Sequence, residues 1–218
     1  MPGYSLVLGN KNYSSWSLRP WLVMKHLNLG FDEILIPLFR DGFKEKLLEY
    51  SASGKVPVLK DEGLEIWDSL AICEYLNEKH PEGNLWPKEI YAKAVARAVS
   101  CEMHSGFFTI RNDMSMDMRN IVEGFIPSPI CQSEIDHVIK IWTSCRERFG
   151  GDGAFLFGSF SIADAMFAPI VSRFTTFQIP LKGVAQEYAQ TILNMDAMKE
   201  WTEAAKKEEW VIVPADYG

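Results

Sequence analysis

Cysteine is scarce in this chain and scattered where it occurs. Cys73, Cys101, Cys131 and Cys145 form no CxxC pair and no ligand cluster, which excludes a disulfide scaffold and a clustered metal site. Cationic charge is in deficit as well: 22 Lys and Arg face 29 Asp and Glu, for a net charge of -7. A surface of that sign suits neither nucleic acid nor an anionic membrane. No apolar run is long enough to span a bilayer. The N-terminus has no signal-peptide pattern, and no repeat or low-complexity segment occurs. These absences lead us to expect a reduced, cytoplasmic protein with no metal, nucleic-acid or membrane partner. What remains is ordinary globular material, 47% hydrophobic and 23% charged over 218 residues, enough for one large domain or two smaller ones.

The most informative stretch is NYSSWSLRPW, Asn12 to Trp21. A short strand, Tyr4 to Leu8, precedes it, and helical spacing through Leu22, Val23, Met24 and Leu27 follows, up to Gly30. Proline lacks an N–H and is harmless only in a helix's first turn, so Pro20 places the N-cap no earlier than Ser17 unless the helix is kinked. Ser14 and Ser15 then lie on the approach to a helix N-terminus, where free N–H groups and the helix dipole favour an anion such as a thiolate. The alternative is that both serines only cap and turn the chain.

Strand-like and helix-like segments alternate over the first eighty or so residues. Phe31 to Leu38 reads as a second strand, and RDGFKEKLLEY holds a short helix. Val56 to Leu59 and Leu64 to Ile66 form a hairpin about Asp61-Glu62-Gly63. Leu70, Ile72, Cys73, Tyr75 and Leu76 build an amphipathic helix stopped by His80-Pro81. That order implies one compact α/β layer structure. Pro57 belongs at a strand start, an edge or a turn. Asp68 and Ser69 open the next helix, either as its N-cap or as a ligand-holding pair. Turn formers from Pro81 to Glu89 mark a boundary, giving an N-terminal domain over residues 1–80, a linker over 81–89 and an all-helical domain over 90–218.

In that second part, helices are expected from Ile90 to about Met118 with a break near Gly106, and at Ser133–Phe149, Ser161–Phe174, Val184–Met195 and Asp196–Glu209. Ser161 and Asp164 have capping-box spacing. His104, Phe108, Arg111 and Ser115 recur at helical spacing. Such a stripe is either core, like its neighbours Phe107, Met114 and Met118, or one wall of a cleft in which Arg111 meets an anion.

Taken together, SSWSLRPW after the first strand, GKVPVL, WDSLAICEYL and GSFSIADAMF resemble the cytosolic glutathione transferases, and the SSWS loop is similar to the SSCS loop of the zeta class. The resemblance covers nearly the whole chain. It implies an α/β thioredoxin-like N-terminal domain followed by an all-α C-terminal domain, with glutathione as co-substrate, a small electrophile as second substrate and a homodimer. It implies that Ser14 or Ser15 donates a hydrogen bond to the glutathione sulfur. Counting along SSCS favours Ser14, whereas a serine four residues before Arg19 favours Ser15. It implies that Val56, before a cis Pro57, pairs its backbone with the cysteinyl part. Asp68 and Ser69 would hold the γ-glutamyl end and Lys55 the glycyl carboxylate, while His104, Phe108 and Arg111 line the electrophile side. Two positions depart from the pattern. Asp68 replaces the more usual Glu or Gln, which an ammonium contact tolerates. Trp16 stands where the zeta loop has cysteine, which weighs against the maleylacetoacetate isomerase activity of that class. The resulting expectation is conjugation of glutathione to small electrophiles. Glutathione-dependent isomerisation or peroxidation, or binding without catalysis, are the alternatives.

Overall fold

A computed structural model describes residues 3–212. Four strands form the first layer: β1 (Tyr4–Leu8), β2 (Phe31–Leu35), β3 (Val58–Asp61) and β4 (Leu64–Trp67), in the order β2-β1-β3-β4. β1 runs parallel to β2 in register Leu6 with Glu33, and antiparallel to β3 with Leu6 opposite Leu59. The β3–β4 hairpin closes the sheet with Leu59 opposite Ile66. Helices α1 (Ser15–His26), α2 (Phe43–Leu48) and α3 (Ser69–Lys79) accompany the strands, as the alternating pattern predicts. A single 3₁₀ turn, Pro81–Gly83, then leads into helices only. The architecture is that of a thioredoxin-like sheet layer followed by a helical array.

The helical array contains α4 (Ile90–Ser105), α5 (Phe108–Asp113), α6 (Pro129–Phe149), α7 (Ile162–Thr176), α8 (Gly183–Asn194) and α9 (Asp196–Lys206). α7 is its hub: every residue of the helix except Thr175 is buried, as expected for a helix apolar on all sides. Its start is fixed by the predicted box. The Asp164 carboxylate accepts from the Ser161 N–H and Oγ–H, each at 2.8 Å, and from the Leu156 N–H at 3.1 Å. α7 packs on α1, so one continuous core runs from Leu6 and Trp21 through Phe167 and Trp142 to Tyr188.

Three expectations are corrected. α1 begins at Ser15 with Ser14 as N-cap, and Pro20 lies inside it. The missing N–H removes one bond to the Trp16 carbonyl, a loss offset by the full burial of Leu18, Trp21 and Leu22 on either side. α6 starts at Pro129, capped by Ser128; a proline at the first helical position needs no donor there. The third is the stripe from His104 to Ser115: the expected break falls at Gly106 and Phe107, which separate two helices. A Cβ on Gly106 would sit 2.9 Å from the Glu102 carbonyl oxygen, and Phe107 adopts φ 58°. His104 therefore does not share a helical face with Phe108 and Arg111, and Ser115 lies beyond α5.

Candidate active site

The segment before α1 is held at both ends. The Asn10 carbonyl accepts from the N–H groups of Tyr13 and Ser14 at 3.1 and 2.8 Å. From the far end of the chain, the Glu208 carboxylate accepts from the Lys11 and Asn12 N–H groups at 2.6 and 3.1 Å, and the Trp201 indole donates to the Lys11 carbonyl at 2.8 Å. Arg119 donates to the Tyr13 hydroxyl at 2.8 Å. Two buried serines are thereby set at the N-terminus of α1. Their hydroxyls do different things. Ser14 Oγ accepts from the Ser17 N–H at 3.3 Å and donates its proton to Ser17 Oγ at 2.8 Å, so it is spent on the cap. Ser15 Oγ accepts from Arg173 Nη2 at 3.4 Å, which leaves its own proton for an incoming acceptor.

Trp16 joins this loop to the helical array. Arg19 Cζ lies 4.3 Å from the centre of its ring and Arg111 Cζ 4.7 Å. His104 meets it edge-on with ring centres 5.3 Å apart. Arg19 is fully buried, and its Nε and Nη1 have no hydrogen-bond partner among the described residues. Burial first, then the charges of Arg111 and Arg173, hold its pKa well below the ordinary guanidinium value. Arg111 donates from Nε to the Gly106 carbonyl at 3.0 Å and from Nη2 to the Met103 carbonyl, closing the C-terminal end of α4. Arg173 donates to the Met114 carbonyl. Three guanidiniums thus converge about Trp16 and Ser15.

Opposite lies a cleft of about 740 Å³ lined by Trp16, Val56, Pro57, Asp68 and Ser69, with Lys55 at its exposed rim. The Val56–Pro57 bond is cis, as the resemblance implies. No other described residue forms a backbone hydrogen bond with Val56. Asp68 is the N-cap of α3: Oδ1 accepts from the Leu70 and Ala71 N–H groups at 2.9 and 3.1 Å, with φ at 77°. Its Oδ2 lies 2.9 Å from His104 Nε2. Ser69 Oγ is buried and has no partner among the described residues. The structure therefore brings together Ser15, Lys55, Val56, Pro57, Asp68 and Ser69 around or beside one cleft. His104 and Arg111 pack on Trp16, while Phe108 is 67% exposed and stands apart, because α5 is a separate helix. Sequence reasoning missed Arg173 and gave Arg19 only a counting role. The apolar run around Arg173 offers no signal for it beyond the oddity of a cation there.

Residues 13–79 match the family model for the glutathione S-transferase N-terminal domain. The maleylacetoacetate isomerase of Rattus norvegicus is 34% identical over 173 residues, 77% of this chain and 76% of that one. The chain belongs to the glutathione S-transferase family. Glutathione S-transferase 1 of Dianthus caryophyllus is a further relative, 30% identical over 168 residues, 75% of this chain and 74% of that one. Among solved structures, a glutathione transferase homolog from Burkholderia with bound glutathione superposes with a TM-score of 0.69 at 20% identity, over 95% of this chain and 100% of that one. A Tau-class enzyme of mango gives 0.70 at 16%, over 94% and 96%. At those identities the likeness establishes the fold. Glutathione is the co-substrate, and the cleft fits it: the buried Ser69 hydroxyl and the Val56 backbone, neither with a partner among the described residues, and the Asp68 carboxylate line one space. No described helix is long and apolar enough to cross a membrane.

Proposed function

We propose that this enzyme is a glutathione-dependent isomerase of small, conjugated carboxylic acids. Conjugation of glutathione to electrophiles is the second reading. The observation that carries the first is the convergence of Arg19, Arg111 and Arg173 on Trp16 and Ser15. A site for neutral electrophiles has no use for so much buried cation, whose desolvation costs several kcal/mol per ion (roughly) unless an anion joins it. The relatives named maleylacetoacetate isomerase favour the same reading, although Trp16 replaces the zeta-loop cysteine.

Bound glutathione supplies a sulfur nucleophile able to add to and leave a conjugated double bond. Ser15 donates to that sulfur and holds it ionised with the α1 N-terminus, while Arg173 keeps the Ser15 hydroxyl facing outward. Ser14 keeps the helix start in place. The Val56 backbone pairs with the cysteinyl unit, Asp68 and Ser69 hold the γ-glutamyl end, and Lys55 takes the glycyl carboxylate. Arg111 and Arg19 attract the acid across Trp16, whose indole keeps water from the sulfur. In this reading residues 1–80 bind glutathione, 81–89 link, and 90–218 supply the acid's side. A cytoplasmic homodimer formed through the exposed Leu64 and Trp67 of the edge strand β4, with Ile90 and Tyr91 of α4, completes the reading.

The test is a parallel assay of maleylacetone isomerisation and of chlorodinitrobenzene conjugation, each with glutathione followed by thiol titration. Isomerisation with glutathione recovered in full is expected. Consumption of glutathione with the neutral acceptor, and no isomerisation of the acid, would leave conjugation as the function.

A further inference from the structure

Asp68 is held in place from across the molecule. Its left-handed φ of 77° and the two N–H groups of α3 on Oδ1 fix one half of the carboxylate. The other half is met by a side chain from the helical array, His104 in the last turn of α4, with Nε2 at 2.9 Å from Oδ2. The second ring nitrogen, Nδ1, is buried and has no partner among the described residues. A neutral imidazole carries one proton, and only Nε2 has an acceptor beside it, so Nε2–H donates to Asp68 and Nδ1 is bare. The same ring stands edge-on to Trp16, on the other wall of the cleft. A carboxylate accepts at about four positions. Asp68 therefore keeps room for one more donor on the side that lines the cleft.

We propose that His104 is a positioning residue for the ammonium of the γ-glutamyl group: as a neutral donor it aims Asp68 Oδ2 at the cleft without cancelling its charge. This rests on the reading that Asp68 binds that ammonium. The groups facing His104 are Asp68 from the α3 cap, Arg19 and Trp16 from α1, and Arg111 from α5. Burial lowers the imidazole's pKa, and the two guanidiniums add to that against the opposing pull of Asp68. A ring kept neutral leaves the full negative charge of Asp68 for the ligand. A protonated ring would pair with Asp68 and repel the ammonium.

The experiment compares S-methylglutathione with the same peptide lacking its α-amino group, by calorimetry, on the wild type, His104→Phe and His104→Gln. Phenylalanine keeps the ring against Trp16 but cannot donate, whereas the glutamine amide can. The wild type should prefer the amino ligand by about tenfold, the worth of one charge-assisted hydrogen bond. His104→Phe should lose most of that preference with the des-amino affinity unmoved, and His104→Gln should retain it. In turnover, the KM for glutathione of His104→Phe should rise more than its kcat falls. A folded His104→Phe variant that keeps the wild-type preference overturns the proposal. A wild type without any preference overturns the assignment of Asp68 itself. Should His104→Phe not fold, His104→Met decides by the same comparison: it fills the place of the ring without donating, and a wild-type preference there sinks the idea.

Discussion

Arg173 Nη2 sits 3.4 Å from Ser15 Oγ, a contact between α7 and the first residue of α1 across 158 positions of sequence. It separates two adjacent serines by their hydrogen bonds. A donor on the oxygen turns the Ser15 proton outward, while the Ser14 proton is committed to Ser17.

Ser15→Ala should therefore raise the pKa of the bound thiol by about one to two units, since a hydrogen bond to a charged group is worth about 1.5–3 kcal/mol. Thiolate absorbance against pH measures this, and turnover at neutral pH should fall by about one to two decades. Ser14→Ala should instead cost about 1 kcal/mol of stability in a denaturant melt, with a smaller shift of the thiol. If Ser14→Ala gives the larger pKa shift, the two roles exchange.

Arg111→Met should discriminate between acceptors. It removes a cation beside Trp16 and two donors from the α4 carbonyls. The KM for an anionic electrophile should rise about tenfold and that for a neutral one hardly at all. The melting curve should show a loss of about 1–3 kcal/mol. Equal changes for both acceptors would mean that Arg111 serves only the helix end.

Asp68→Asn keeps an oxygen for the Leu70 and Ala71 amides and removes the charge. Stability is expected to stay within about 0.5 kcal/mol of the parent, while affinity for S-methylglutathione drops about tenfold or more. Calorimetry on the folded variant reads both. Unchanged affinity would reduce Asp68 to a helix cap.

Asp164 gives the stability profile a signature. Burial raises its pKa from 3.8 to about 6, outweighing the donors from Leu156 and Ser161. The folded chain thus holds the proton more tightly than the unfolded one. This contribution to stability is full below about pH 4, declines as pH rises, and is gone once pH has passed through about 6. Asp164→Asn does not titrate. The wild type minus variant difference in unfolding free energy should fall between those limits and be flat above them. Affinity for glutathione should not follow it. A difference that rises with pH would reverse the sign of the shift.

Much of this was legible in the chain because it is local. Alternation of period two and period 3.6 placed the strands and helices, and Ser161-x-x-Asp164 announced its own cap. The errors are equally physical. Pro20 reads as a first-turn residue, but the buried neighbours on both sides carry the helix through it. Spacing places Phe108 with His104, but Gly106 with a left-handed Phe107 breaks that spacing. Arg173 could not be seen as a site residue, because its partner Ser15 lies in another part of the chain and only packing of α7 on α1 joins them. For the same reason the divided labour of Ser14 and Ser15 is absent from the sequence. Both are serines before a helix, and only the donors around them tell them apart.

The grip of Glu208 on the Lys11 and Asn12 amides spans 197 and 196 residues. During synthesis, the residues of the whole sheet, Asp68 and the lining of the cleft are all made before the carboxylate that pins the serine loop. The contacts on this loop from the far end of the chain therefore come last in order of synthesis: Arg173 of α7 on Ser15, Trp201 of α9 on the Lys11 carbonyl, then Glu208.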